Sequence, residues 1–93
     1  MHRISVDWSH INSKSELWEI LCRQAQEPDW HGRNLDALND SWVTGGINLT
    51  GPPYEFEFLN CSKINLSIRE LAAAVMEIAR DSVRENGGSY SAA

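Results

Sequence analysis

Two short segments of the chain alternate between apolar and polar residues, the pattern of a β-strand with one buried face. The first runs from Arg3 to Trp8 and the second from Tyr54 to Phe58. A third segment, residues 89–93, predicts a short and weak final strand. Because helical patterns separate these segments, we expect parallel pairing with right-handed crossovers.

Two longer segments have the 3.6-residue period of an amphipathic helix. The first begins at Ser13, which forms a capping box with Glu16, and runs to about residue 26. The last ends near Glu85, before the stop signal Asn86-Gly87-Gly88, and a second capping box is expected between Ser67 and Glu70. Its inward positions are Ile68, Leu71, Ala72, Val75, Ala79 and Ser82 or Val83.

A short helix is predicted between these two, because Asn34 is a favourable N-cap residue and Thr44-Gly45-Gly46 ends the apolar period. Its buried face has the spacing i, i+3, i+7, occupied by Leu35, Leu38 and Trp42. A different face has the spacing i, i+3, i+4, occupied by Asp36, Asn39 and Asp40.

The two carboxylates of this short helix lie in different positions relative to the helix dipole. Asp36 lies in the first turn, where the helix dipole favours an acid. Asp40 lies near the other end, where an acid is mildly unfavourable, and no Lys or Arg stands three or four residues from it on this helix. From spacing alone, this face is either exposed to solvent without a partner or a surface for a basic partner. Spacing favours the first of these.

Composition and charge restrict the class of partner that this chain can bind. The 93 residues have a formal net charge of −5 and fit a single domain over residues 1–93. The eight basic residues are scattered, so no direct contact with nucleic acid is expected. An acidic surface suits a basic protein instead. No apolar run can span a membrane, and Met1–Ser5 lacks the apolar core of a secretion signal, so we expect a cytoplasmic location and no membrane partner.

The run Trp30-His31-Gly32-Arg33-Asn34-Leu35-Asp36-Ala37-Leu38-Asn39-Asp40 resembles the signature of barstar-type ribonuclease inhibitors. The order of strands and helices is similar as well. The resemblance implies an α/β fold, a small parallel sheet of two to three strands packed with about three helices. It implies no catalytic activity, no cofactor and no metal. It also implies a 1:1 complex with a cognate ribonuclease or toxin domain, whose active site the inhibitor blocks.

The resemblance also assigns roles within that signature. Asp40 stands where the family's main carboxylate enters the phosphate pocket of the nuclease, and Asp36 matches a second carboxylate that contacts the enzyme. Trp30 matches an interface aromatic residue, and Asp81 on the last helix aligns with an acid that pairs with a basic group at the rim. The residues expected to bind the partner are Trp30, His31, Asn34, Asp36, Asn39, Asp40, Thr44, Gly45 and Asp81.

The chain departs from the family's pattern at a few positions. His31 replaces an aromatic residue, Asn39 replaces a tryptophan, and Thr44-Gly45 stands one residue later than the family's Thr-Gly. These differences leave the target open. It is either a secreted ribonuclease of the producing cell or a toxin against which this chain gives immunity as an antitoxin.

Other classes of function give weaker explanations. His2, His10 and His31 suggest acid–base catalysis in a small enzyme, but their spacing forms no motif and a phosphate-binding cluster is missing. A metal site from Asp29, His31 and Asp36 matches no known ligand spacing. The same scaffold can also serve as an interaction module for a non-nuclease toxin or a regulatory protein. Asp40 distinguishes this module from a ribonuclease inhibitor, because only an inhibitor that mimics phosphate requires the Asp40 carboxylate.

Overall fold

A computed structural model describes residues 2–25, 34–44 and 53–93. These ranges contain three strands, β1 (His2–Asp7), β2 (Tyr54–Leu59) and β3 (Gly88–Ala92), and three α-helices, α1 (Lys14–Ala25), α2 (Leu35–Asn39) and α3 (Arg69–Asn86). A π-helical turn, Asp40–Thr44, continues α2, and short 3-10 turns span Trp8–His10, Cys61–Lys63 and Leu66–Ile68. No helix within these ranges is long and apolar enough to cross a membrane.

The three strands form one parallel sheet in the order β1-β2-β3. The register pairs His2 with Tyr54 at one end of β1 and Asp7 with Leu59 at the other. Tyr54 in turn pairs with Gly88, so β2 lies in the centre of the sheet. The predicted α/β class is confirmed, and the final strand forms although its side chains are mostly exposed.

One face of the sheet carries the core, as the alternation of the sequence predicts. On β2, Tyr54, Phe56 and Phe58 are buried, while Glu55 and Glu57 between them are only partly buried on the opposite face. The rest of the core comes from β1, the turns and the three helices, with Ile4, Val6, Trp8, Ile11, Leu17, Leu21, Leu38, Trp42, Ile68, Ala72, Val75 and Ala79.

The outer edge of β1 is covered by a side chain from α1. The amide of Gln24 accepts a hydrogen bond from the Ser5 backbone N–H at 2.6 Å and donates one to the Ser5 carbonyl. The ring of His2 also contacts the Gln24 carbonyl. Gln24 therefore satisfies the backbone groups of Ser5, which an edge strand would otherwise leave open to another chain.

Asp7 ties the ends of β1 and β2 together. One of its oxygens accepts hydrogen bonds from the Ser9 hydroxyl at 2.7 Å, the Ser9 backbone N–H at 3.0 Å and the Asn60 amide at 2.8 Å. These donors favour the charged form. The Ser9 hydroxyl and then the Asn60 amide lower the pKa of Asp7 from 3.8 to about 2.

The predicted helix starts have different outcomes. The Ser13 hydroxyl accepts from the Glu16 N–H at 3.2 Å, which is the first half of the predicted capping box, while the Glu16 carboxylate contacts the Ser13 hydroxyl at 3.5 Å. The second capping box is wrong, because the Ser67 hydroxyl and N–H both bond the Asn65 side chain and α3 begins only at Arg69. Asn65 bonds its own turn two residues on, and this local turn displaces the helix start.

Candidate functional site

The short helix α2 begins as the sequence predicts. Asn34 has an extended backbone (φ −150°, ψ 169°), and its side-chain oxygen accepts from the Ala37 N–H at 2.8 Å. Five residues are too few for a helix that is stable by itself. Its position therefore depends on packing through Leu38 and Trp42, both of which are buried.

Helix α2 does not continue as a regular α-helix. The Asp40 N–H is shared between the carbonyls of Asp36 and Ala37, and a π turn follows through Thr44. Such turns are rare and occur often at functional sites. Trp42, in the middle of the turn, packs on Phe56 of β2 with ring centroids 4.9 Å apart. The π turn thus carries Asp40 at its start while its centre is fixed to the sheet.

The acidic face of α2 is exposed. Asp36, Asn39 and Asp40 all lie on the surface, as their spacing predicts. Neither carboxylate forms an ion pair with another residue of the described ranges. Two negative charges four residues apart therefore stand on a helix whose opposite face is held in the core, which is an arrangement suited to a cationic partner.

A groove of about 440 Å³ separates the π turn from the end of α3. Thr44 lies on one side of it and Asp81 on the other, so the fold brings together two predicted site residues that are distant in sequence. Asp81 is partly exposed and forms an ion pair with Arg84 at 2.9 Å. Any cationic partner of Asp81 must compete with this intramolecular contact.

A larger groove of about 940 Å³ lies at the other end of α2. Asn34 and Asp36 line it together with apolar side chains of Trp18, Leu35 and Leu66. Leu66 is 81% exposed, which is unusual for a leucine of this chain. Sequence reasoning missed this groove, because its lining comes from segments that are distant in sequence.

Three predicted site residues, Trp30, His31 and Gly45, lie outside the described residues, as does the proposed metal ligand Asp29. Within the described ranges, His, Cys, Asp and Glu form no group that could hold a metal ion. His2 begins β1 and His10 follows its far end, so these two histidines do not share a site. The fold gives the enzyme hypothesis no pair of catalytic histidines there.

A comparison with protein families places this geometry in context. The family model described as Barstar (barnase inhibitor) matches residues 1–91 of the 93. The chain belongs to the barstar family. A comparison with curated proteins found no match. Barstar-family proteins are inhibitors of the barnase or ribonuclease type and act by binding another protein.

For a barstar-family chain, two residues of α3 stand out that sequence reasoning did not assign. Ser82 is fully buried and its hydroxyl donates to the Trp42 carbonyl at 2.6 Å. The Asn86 amide donates to the Val43 carbonyl at 2.8 Å. The inward position of Ser82 was among the predicted ones, but its partner lies 40 residues away in sequence. Only the fold reveals this contact.

Proposed function

We propose that this chain is an immunity or antitoxin protein that acts in the cytoplasm. In this proposal it binds one cognate ribonuclease, or one ribonuclease toxin domain, and blocks its active site. Asp40 enters the phosphate-binding pocket, Asp36 makes a second contact with the enzyme, and Asp81 meets a basic group at the rim, with Thr44 across the smaller groove. Trp30, His31, Asn34, Asn39 and Gly45 complete the binding surface.

The observation that carries the proposal is the pair of exposed carboxylates on a helix that is fixed from behind. Asp36 and Asp40 have no cationic partner within the described residues, while Leu38 and Trp42 of the same segment are buried. A charge held in this way loses little conformational entropy on binding.

The chemistry of the target explains why carboxylates suit this role. A ribonuclease has to gather cationic side chains around the phosphate that it cleaves. A carboxylate placed among them forms charge-assisted hydrogen bonds, which are strongest with the bidentate guanidinium of arginine. Once the interface excludes water, these bonds are far stronger than a surface ion pair.

The test measures RNA cleavage in the presence of purified protein. The enzymes are barnase and, in a second arm, the product of the gene that adjoins the one encoding this chain. Asp40→Asn keeps the size of the side chain and removes one charge. Loss of a desolvated charge pair costs about 3–5 kcal/mol, so inhibition should weaken by about 100-fold to 5,000-fold.

The matched control is Glu19→Gln, which removes the same charge from an exposed site on α1 that lines neither groove. It should inhibit like the wild type. Inhibition of neither nuclease by the wild-type chain would refute the proposal. Unchanged binding by Asp40→Asn would favour an interaction module that does not mimic phosphate.

A further inference from the structure

The π turn is attached to α3 by side chains rather than by packing alone. The Ser82 hydroxyl donates to the Trp42 carbonyl at 2.6 Å. The Asn86 amide donates to the Val43 carbonyl at 2.8 Å, with a longer contact of 3.4 Å to the Trp42 carbonyl. We call Ser82 and Asn86 the α3 clamp. They are four residues apart and share one face of the helix.

The bonded carbonyls belong to the last turn of the helical segment. Carbonyls at a helix C-terminus have no donor within the helix, and a buried carbonyl without a donor is costly. A π turn after a five-residue α-helix has little stability of its own. The α3 clamp supplies donors at the end of the segment, where a helix in general has none of its own.

The α3 clamp is itself fixed to the sheet. Ala72, Val75 and Ala79 precede Ser82 on the buried face of α3, and all four residues are inaccessible to solvent. Asn86 also lines the smaller groove, beside Thr44 and Asp81. The clamp thus connects the π turn to the buried face of α3.

We propose that Ser82 and Asn86 are positioning residues of the inhibitor. By fixing the carbonyls of Trp42 and Val43, they set the direction in which Asp40 projects and hold Thr44 across from Asp81. This inference rests on the proposed function for its consequence in binding. Its structural part, that the clamp fixes residues 40–44, is independent of any partner.

Two variants test the clamp. Ser82→Ala removes the hydroxyl and adds no charge. Asn86→Asp keeps the size of the side chain but replaces the donor by an oxygen that cannot donate to the Val43 carbonyl. The control is Asn12→Asp, the same change at an exposed residue before α1. Added negative charge alone should favour a basic partner, so weaker binding by Asn86→Asp identifies the lost hydrogen bond.

The first measurement is amide hydrogen exchange in the free protein. Both clamp variants should raise exchange at residues 40–44 by about tenfold relative to the amides of β2, whereas Asn12→Asp should not. Uniform acceleration at all amides, or no change at residues 40–44, would overturn the inference. This measurement needs no nuclease, so it remains interpretable if the proposed function fails.

The second measurement is the dissociation constant with barnase as the probe, in the wild-type and Asp40→Asn backgrounds. Each clamp variant should weaken binding by about tenfold when Asp40 is present. The loss should be smaller in Asp40→Asn, since the carboxylate whose direction the clamp sets is then absent and only the placement of Thr44 remains. An equal loss in both backgrounds would show that the clamp serves stability alone and would overturn its positioning role.

Discussion

Gly88 gives the sharpest test of how β3 joins the sheet. It has a φ of +101°, and a Cβ atom built there would overlap the carbonyl oxygen of Tyr54 and lie 3.1 Å from two further backbone atoms of that residue. Tyr54 is also its partner in the register. The close approach is between backbones, so no side-chain rotation can relieve it, and β2 and β3 would have to separate in Gly88→Ala.

The neighbouring glycine is a matched control. Gly87 has a φ of +84°, but a Cβ atom there would meet nothing within 4 Å. Gly87→Ala therefore has only the backbone strain, about 1–3 kcal/mol. Gly88→Ala has similar strain and also weakens the pairing of Tyr54 with β3, where one lost hydrogen bond contributes about 0.5–1.5 kcal/mol. We expect a total destabilisation of about 2–4 kcal/mol.

Urea unfolding followed by tryptophan fluorescence measures both variants. Gly88→Ala should lower the free energy of unfolding by about 0.5–1.5 kcal/mol more than Gly87→Ala. Its total loss of about 2–4 kcal/mol is a large share of the about 5–15 kcal/mol typical of a small domain. Equal effects would mean that the close approach to Tyr54 contributes nothing. A larger effect at Gly87 would refute the reasoning altogether.

Two further predictions concern the ends and the edge of β1. Since the Ser9 hydroxyl and the Asn60 amide lower the pKa of Asp7 to about 2, the stabilisation from its charge is complete above about pH 4 and is lost as the pH falls towards 2. Urea midpoints should lose this acid step in Asp7→Asn, and a persistent step would assign it elsewhere. Gln24→Glu removes the donor to the Ser5 carbonyl and should cost about 1–3 kcal/mol at pH about 7, with partial recovery near pH 4, where a protonated Glu donates again. No loss at neutral pH would show that the edge contact is dispensable.

Much of the fold follows from local pattern. Alternation around Phe56 fixes which face of β2 is buried, and the i, i+4 spacing of Asp36 and Asp40 fixes that they share an exposed face. The start of α3 does not follow, because Ser67 and Asn65 offer competing caps of similar strength. The local sequence contains both candidate caps, but only the complete fold determines which of them forms.

The π turn shows why a one-residue departure from a family pattern can be structural. By resemblance to barstar-type inhibitors, Thr44-Gly45 stands one residue later than the family's Thr-Gly, and an extra residue in a regular helix would rotate everything after it by about 100°. A π turn closes its hydrogen bond over five residues instead of four and so contains the extra residue within one turn.

Leu38 before the turn and Trp42 within it are both buried, while Asp36 and Asp40 are exposed. Two carbonyls of this turn, those of Trp42 and Val43, accept hydrogen bonds from Ser82 and Asn86 of α3. An inhibitor with the extra residue but without these donors would keep its acidic residues and lose the direction of its π turn. For that reason we expect a change in the length of the segment from Asp40 to Thr44 to be tolerated only together with a change of Ser82 and Asn86.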